Sequence, residues 1–374
     1  MQPETSTSPD TSTHPLAPYD ALLLLGFGGP EAPEEVMPFL RRVTAGRGIP
    51  DERLEAVGEH YHLFGGRSPI NDQNRALVAA LEAELAAREL SVPVFWGNRN
   101  SQPFLDDALR DVHAAGHRRV VVVTTSAYSC YSSCRQYREN LADADATIRE
   151  EGRELQIDKI GPYAPRPGFT EANLEQLVES MRALDGAPDE EVALLFVTHS
   201  IPSTMDETSG PGDSEGELYQ RQHLAVANAL TTGANAALGR DLTGELVYCS
   251  RSGPPTQPWL EPDVGDRIEE LAASGTKTVV VAPIGFVSDH MEVVYDLDTE
   301  AKEKADAVGV QLVRVPTVGT SARFVGDLVD AVVERAAEAR GEGVLDFPGR
   351  RPSVCAPGCC PNLRAARPAL CGSD

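Results

Sequence analysis

The chain has 374 residues, 41% of them hydrophobic and 24% charged, which allows a large core and favours two domains over one. Its formal net charge of −24 argues against nucleic acid and anionic membrane surfaces as partners. No apolar run approaches the ~18 residues of a membrane-spanning helix.

Residues 1–18, MQPETSTSPDTSTHPLAP, are rich in Ser, Thr and Pro and are expected to form a disordered tail. They lack a basic segment followed by an apolar core, so no signal peptide is expected and the location should be cytoplasmic. Ala21 to Leu25 reads as a buried strand, and Gly26-Phe27-Gly28-Gly29-Pro30 as the turn after it. The full GxGxxG pattern is missing, so dinucleotide binding is not favoured. Glu34 to Val43 and Arg53 to His62 read as helices flanking a basic loop with Arg41, Arg42 and Arg47. After the Phe64–Pro69 glycine turn, Asn71 is expected to cap a helix from Asp72 to Glu89.

Strands are expected at Val92 to Trp96 and Arg119 to Thr124, around a helix from Phe104 to Ala115. The exit of the second strand, from Ser126 to Cys134, is dense in hydroxyls and thiols, and a helix follows through Asp145. Gln156 to Ile160 reads as a bridge. This β-α-β-α-β order over 19–165 implies a twisted parallel sheet.

A second domain is expected over 166–340. It opens with a helix from Phe169 to Leu184. The continuous apolar run Val192 to Val197 is a strand buried on both faces, as in parallel sheets. His199 stands just past its carboxyl end, where open α/β sheets bind ligands. Pro202 then stops the ladder. A polar loop (Asp206 to Glu215), a helix (Glu217 to Leu230), a strand (Glu245 to Cys249) and a helix (Asp263 to Ala273) follow. Val279 to Ala282 repeats the plan of the His199 strand, with Pro283 and Gly285 at the break. The last strand is expected at Gln311 to Val315 and a closing helix at Ala322 to Ala339. The fold class is α/β: two Rossmann-like domains, each a parallel sheet flanked by helices, with the active cleft between them.

Glu292, Asp296 and Glu300 are spaced i, i+4, i+8 and would lie along one helix stripe. The stripe follows a strand exit carrying Asp289 and His290, on the same rim as His199. A row of carboxylates leading to a His–Glu pair suits a divalent metal that prefers oxygen and nitrogen. HExxH and tight zinc-ligand spacings are absent, so a fixed catalytic zinc is not expected.

THSIP around His199 and GFVSDHMEVVYDLD around Glu292 resemble the ferrochelatase family. The resemblance extends through GFGGPE at Gly26, HYHLFGGRSPI at His60 and YCSRSGPPTQPWLEPDV at Tyr248, over roughly residues 20–335. It implies insertion of Fe²⁺ into a porphyrin, with loss of two pyrrole protons. His199 and Glu292 would then share metal contact and proton removal, and Asp296 and Glu300 would pass iron. Among the porphyrin contacts implied, Phe27 stands where bacterial relatives have a tyrosine, so only stacking remains there. A family arginine falls on Thr44, which would leave a propionate to Arg41, Arg42 or Arg47. His60, Tyr61, Ser68 and Tyr137 match other binding positions, although Tyr61 and Tyr137 also read as core aromatics. The substrate is expected to be coproporphyrin III rather than protoporphyrin IX, because the chain has no apolar anchor and a tetracarboxylate porphyrin is water-soluble. The rivals are a cobalt or nickel tetrapyrrole chelatase and a non-enzymatic clamshell carrying haem or iron. Other haem-pathway enzymes would be partners.

Residues 341–374 have no apolar periodicity and hold four of the seven cysteines. Some ferrochelatases carry a [2Fe–2S] cluster on one internal and three C-terminal cysteines. Cys134 with Cys355, Cys359 and Cys360 resembles that set, with Cys371 in reserve, Cys130 a weaker substitute for Cys134, and Cys249 structural. Spacing alone leaves a four-cysteine zinc knot as the alternative.

Overall fold

The computed structural model describes residues 14–184, 186–211, 216–254 and 256–373. The first thirteen residues of the expected tail, the end of the expected polar loop (212–215) and Pro255 lie outside the described residues. The expected tail is contradicted at its end: Leu16 is fully buried, and the Arg340 guanidinium donates to the Pro15 carbonyl at 3.0 Å.

The first sheet is built from β1 (Ala21–Gly26), β2 (Val94–Asn98), β3 (Arg119–Thr124) and β4 (Gln156–Lys159), all parallel, in the order β2-β1-β3-β4. The expected bridge at Gln156 is therefore an edge strand, and the second strand starts two residues later than its hydrophobicity suggests. Around the sheet lie α1 (Pro33–Val43), α2 (Asp51–His62), α3 (Ile70–Ala87), α4 (Leu105–Ala114) and α5 (Gln136–Glu150). Pro33 begins α1, Glu34 and Glu35 occupy its first turn and Arg41 and Arg42 its last, each sign matching the helix dipole. Asn71 does not cap α3. It lies inside the helix, buried, and its amide donates to the Gly29 carbonyl at 3.1 Å, so its polarity serves the first glycine turn. At Gly28 the backbone is left-handed (φ +82°) and a Cβ would meet Ser101 Oγ at 2.5 Å, so this turn requires glycine.

The second sheet repeats the topology. After α6 (Pro167–Met181), β5 (Val192–His199) is followed by α7 (Ser203–Glu207), α8 (Leu218–Leu238), β6 (Gly244–Cys249), α9 (Val264–Ala273) and β7 (Thr278–Ala282). Next come α10 (Met291–Tyr295), α11 (Lys302–Ala307), β8 (Gln311–Arg314) and α12 (Ala322–Ala339), and the strand order is β6-β5-β7-β8, again all parallel. The α8 helix runs well past the expected end at Leu230 and stops at Gly239, which takes the left-handed conformation that closes helices. Asp263 caps α9, accepting from Gly265 N at 2.8 Å.

In each sheet the first strand lies between neighbours reached in opposite directions, so the exits of β1 and β5 are the topological switch points where such sheets bind ligands. One hydrophobic core contains Leu22 and Leu24 of β1 together with Leu194 and Phe196 of β5, so the two sheets share an interior. The α12 helix seals it from both sides. Arg166 pairs with Glu334 at 2.8 Å, and Arg335 pairs with Asp158 beside β4 at 2.7 Å. No described helix is long and apolar enough to cross a membrane.

Beneath the β5 exit is a buried polar brace. Tyr219 donates its hydroxyl to the His199 carbonyl at 2.9 Å, and Thr198 Oγ1 lies 2.7 Å from that hydroxyl and 2.9 Å from His223 Nε2. His223 Nδ1 meets the Tyr219 carbonyl at 2.7 Å, and the ring stacks on Tyr128 at 3.5 Å. Burial pushes the His223 pKa down to about 3. The imidazole therefore stays neutral when folded but protonates near its ordinary value when unfolded. Stability from this group is complete above about pH 6.5 and is lost as pH falls toward about 3, at up to about 1.4 kcal/mol per pH unit. Urea unfolding at about pH 7 and about pH 5 should show that His223→Gln loses less stability on acidification than the parent chain. Equal losses would assign the acid sensitivity to other groups.

Candidate active site

His199 is the last residue of β5, in register with Cys249. Its Nδ1 donates to the Ser200 carbonyl, which orients the ring. Its Nε2 lies 3.7 Å from Glu292 Oε2. The carboxylate comes from α10, just after the β7 exit, so two strand ends deliver the pair as expected. Gly285 allows this close approach, because a Cβ there would collide with Thr198 of β5. A second imidazole, His290, places Nδ1 3.8 Å from the same Oε2, and burial pushes its pKa down. Its position in the sequence motif was visible, but only the geometry makes it a third member of the group.

The row of carboxylates is not a plain α-helical stripe. The chain widens into a π turn over Asp296–Ala301 between α10 and α11, a distortion often found at functional sites. Asp296 accepts from the Ser250 hydroxyl. Burial, and after it the neighbouring Glu292 and Glu300 carboxylates, push its pKa up to about 7, while the Ser250 bond opposes them. Ser250 is held at φ +61° at the β6 exit, a strained position that the sequence does not signal. Glu300 interacts with the Tyr295 hydroxyl, and the Tyr295 ring stacks flat on His60 of α2, with centroids 3.7 Å apart. His60 thus joins the acidic row to the first half of the chain.

The facing residues divide into two groups. Phe27 packs edge-on against Phe39, and Arg99 lies over Phe27 at 5.5 Å and over Tyr137 at 4.5 Å. Tyr61 is buried beside Phe39 and Met291; burial raises its pKa and the Glu292 and Asp296 charges add to the rise. Tyr137 is buried in the core behind the first sheet, and Ser68 is buried against the Gly29 turn. Thr44 ends α1 and gives its hydroxyl to the Leu40 carbonyl at 2.7 Å, so it is occupied by its own helix. Arg41 pairs with Asp51 at 2.7 Å and Arg42 donates to the Asn100 carbonyl at 2.6 Å. Neither Arg42 nor Arg47 has an acidic partner among the described residues.

Four thiols gather apart from this site: Cys134, Cys355, Cys359 and Cys360 form a buried cluster. Cys371 is not among them. Its thiol points to the Ile157 carbonyl at 3.6 Å, although its backbone carbonyl accepts from Cys355 N. Cys130 bonds to Ser133 Oγ at 3.2 Å, and Cys249 is buried behind the second sheet. Hydrogen bonds from Cys134 and then Cys359 push the Cys355 pKa down, and Lys159 and Arg138 reinforce that. A bond from Cys359 likewise lowers Cys360, whose sulfur also accepts from Gly210 N at 3.2 Å. Among the described residues, no group of three or more His, Cys, Asp or Glu is arranged to hold a single metal ion.

The ferrochelatase family model matches residues 19–336. A coproporphyrin III ferrochelatase of Streptomyces coelicolor is 52% identical over 365 residues, covering 96% of this chain and 97% of the relative. Another from Leifsonia xyli subsp. xyli is 52% identical over 378 residues, covering 96% and 95%. A third, from Mycolicibacterium smegmatis, is 45% identical over 348 residues, covering 91% and 99%. With the His199–Glu292 pair at the mouth of twin parallel sheets, these matches lead to one conclusion: the chain belongs to the ferrochelatase family.

Proposed function

We propose that the chain inserts ferrous iron into coproporphyrin III, with His199 and Glu292 as its catalytic residues. The observation that carries the residue assignment is the 3.7 Å approach of the His199 Nε2 to the half-exposed Glu292 carboxylate. A free-base porphyrin must lose two pyrrole protons as Fe²⁺ enters, and the ring must bend before the metal can reach its nitrogens. His199 Nε2 and Glu292 are two acceptors on one face, able to take those protons or to hold the arriving cation. Asp296, near pH 7 half protonated, and Glu300 form a route along which cations and protons exchange. Phe27 offers the ring a face without an oxygen ligand. Binding energy from the peripheral carboxylates supports the distortion, and Arg47 is the basic residue of the α1–α2 loop left unpaired to receive one.

The substrate reading rests on the relatives' coproporphyrin names over nearly their whole length. In the same reading, Cys134, Cys355, Cys359 and Cys360 would ligate a [2Fe–2S] cluster. Such a cluster asks only two sulfurs of each iron, so a three-fold convergence is not required. The buried Lys159 and Arg138 would offset its negative charge. The cluster supplies a covalent anchor for a segment with little core of its own. Seven free thiols suit the reducing cytoplasm expected for the protein.

Anaerobic incubation with Fe²⁺ and each porphyrin, followed at the Soret band, tests the activity. Coproporphyrin III should be metallated with a kcat/KM at least about tenfold above protoporphyrin IX; parity or reversal would overturn the substrate assignment. His199→Ala and Glu292→Gln should each lower kcat by about a hundredfold or more, with metal-free porphyrin still bound by fluorescence quenching. Retention of parental turnover by either would remove that residue from the chemistry. For the cluster, Cys134→Ser and Cys355→Ser should abolish near-stoichiometric sulfide and the visible absorption of protein isolated anaerobically, while Cys371→Ser should keep both. Zinc in place of iron and sulfide would decide for the four-cysteine knot.

A further inference from the structure

We infer that His60 is a positioning residue for the catalytic carboxylate: its imidazole, stacked on Tyr295, sets the rotation of α10 and so points Glu292 at His199. This rests on the assignment of Glu292 to iron insertion, and it gives His60 a different part from the porphyrin contact that its motif implies.

Glu292 does not hold itself in place. His199 Nε2 and His290 Nδ1 approach its carboxylate at 3.7 and 3.8 Å, both beyond hydrogen-bond length, and half of the side chain is exposed. Its direction is therefore inherited from the helix that carries it. That helix is five residues long, its N-cap His290 makes no side-chain capping bond, and it runs straight into the π turn at Asp296–Ala301. A helix this short has little stability of its own. Arg314 at the end of β8 secures the flanks, pairing with Asp289 before the helix and with Asp298 at 3.2 Å after it. Asp289 N also donates to Gln73 Oε1 of α3 at 2.8 Å. Attachments at two ends fix where the segment runs. They leave its rotation about its own axis to side contacts.

Those contacts come from both halves of the chain. Val293 is buried in the core of the second sheet. Met291 is buried with Phe39 of α1 and Tyr61 of α2. Tyr295 lies flat on His60, with ring centroids 3.7 Å apart and planes 10° from parallel. Met291 and Tyr295 are i, i+4 neighbours on one helix face. The consecutive residues Tyr61 and His60 therefore grip that face at both ends, and Glu292 projects about 100° round from Met291. With the grip intact the carboxylate has one direction. Without the His60 stack, the end of α10 that opens into the π turn loses its support from the first half. A displacement of about 1 Å at a reacting group is enough to cost about a hundredfold in rate. Among the described residues the His60 ring makes no hydrogen bond, so the stack is its engagement with the rest of the molecule.

His60→Gln and His60→Phe in the full-length holoprotein separate positioning from substrate contact. Gln keeps a polar tip and loses the ring; Phe keeps a ring to stack on Tyr295 and loses the nitrogens. Soret kinetics with Fe²⁺ and coproporphyrin III give kcat, and fluorescence quenching gives the Kd of metal-free coproporphyrin III. His60→Gln should lower kcat about tenfold, the upper scale of one aromatic stack, with Kd within about twofold of the parent. His60→Phe should restore most of that kcat. Tyr295→Leu should reproduce the loss, and the double variant His60→Gln/Tyr295→Leu should be little worse than either single change, because all three remove one contact. A raised Kd with unchanged kcat in His60→Gln would make His60 a porphyrin contact and overturn the inference. Parental kcat in His60→Gln, an equal loss in His60→Phe, or single losses that multiply in the double variant would overturn it as well. Failure of the parent protein to metallate coproporphyrin III would instead sink the functional reading, which separates the two failures.

Discussion

The approach of the His199 imidazole to the Glu292 carboxylate is the constraint on which the site depends, and it is set from below. Nδ1 of His199 donates to the Ser200 carbonyl, which fixes the ring with Nε2 toward Glu292. The His199 carbonyl is held by Tyr219, and Tyr219 by Thr198 and His223 in a water-free brace. Buried polar networks of this kind are rigid when satisfied and costly when broken. The strand end therefore cannot drift, and Glu292 meets a fixed partner.

Charge is sorted across the cleft rather than balanced locally. Burial, reinforced by the Glu292 and Glu300 carboxylates on the same wall, raises the Asp296 pKa to about 7. Arg99, over Phe27, stands on the other. The acidic wall is destabilised by its own like charges and relieved by a ligand of opposite sign. A cation on the acidic side and a polycarboxylate on the basic side are the pair of substrates that suits both.

The strand runs were legible because parallel sheets bury both faces, so ALLLL, RVVVVT and VALLFV stand out without periodicity. Placement of His199 and Glu292 at a common rim followed from strand ends alone. What was hidden depends on contacts distant in sequence. Asn71 reads as a cap, yet it lies inside a helix because Gly29 needs its amide. Leu16 lies in a Ser/Thr/Pro-rich stretch but finds a buried place beside β1. The π turn at Asp296–Ala301 has no compositional signature. Ser250 gains its role from a carboxylate on another element, and His290 from its place beside Glu292.

The tail is the least conventional part of the fold, and its attachment explains why its sulfurs and its turns belong together. Cys360 exchanges hydrogen bonds with Gly210, N–H to carbonyl at 2.9 Å and sulfur from N–H at 3.2 Å. Gly210 follows α7, which begins four residues after His199, while Cys134 stands at the entrance to α5 in the first half. The cysteine group therefore touches both halves and the loop leaving the catalytic strand. A segment of some thirty residues with almost no apolar core cannot offset its ordering entropy by packing. Its order must come from point attachments: the sulfurs, the Asn362 turn and the Leu370 pairing. Strengthening the sulfur attachment by a ligand would hold the intervening residues 361–369 more tightly across α5. On this logic the cysteine group, the Asn362 turn and the Leu370 pairing form one mechanical unit that fastens the tail to α5.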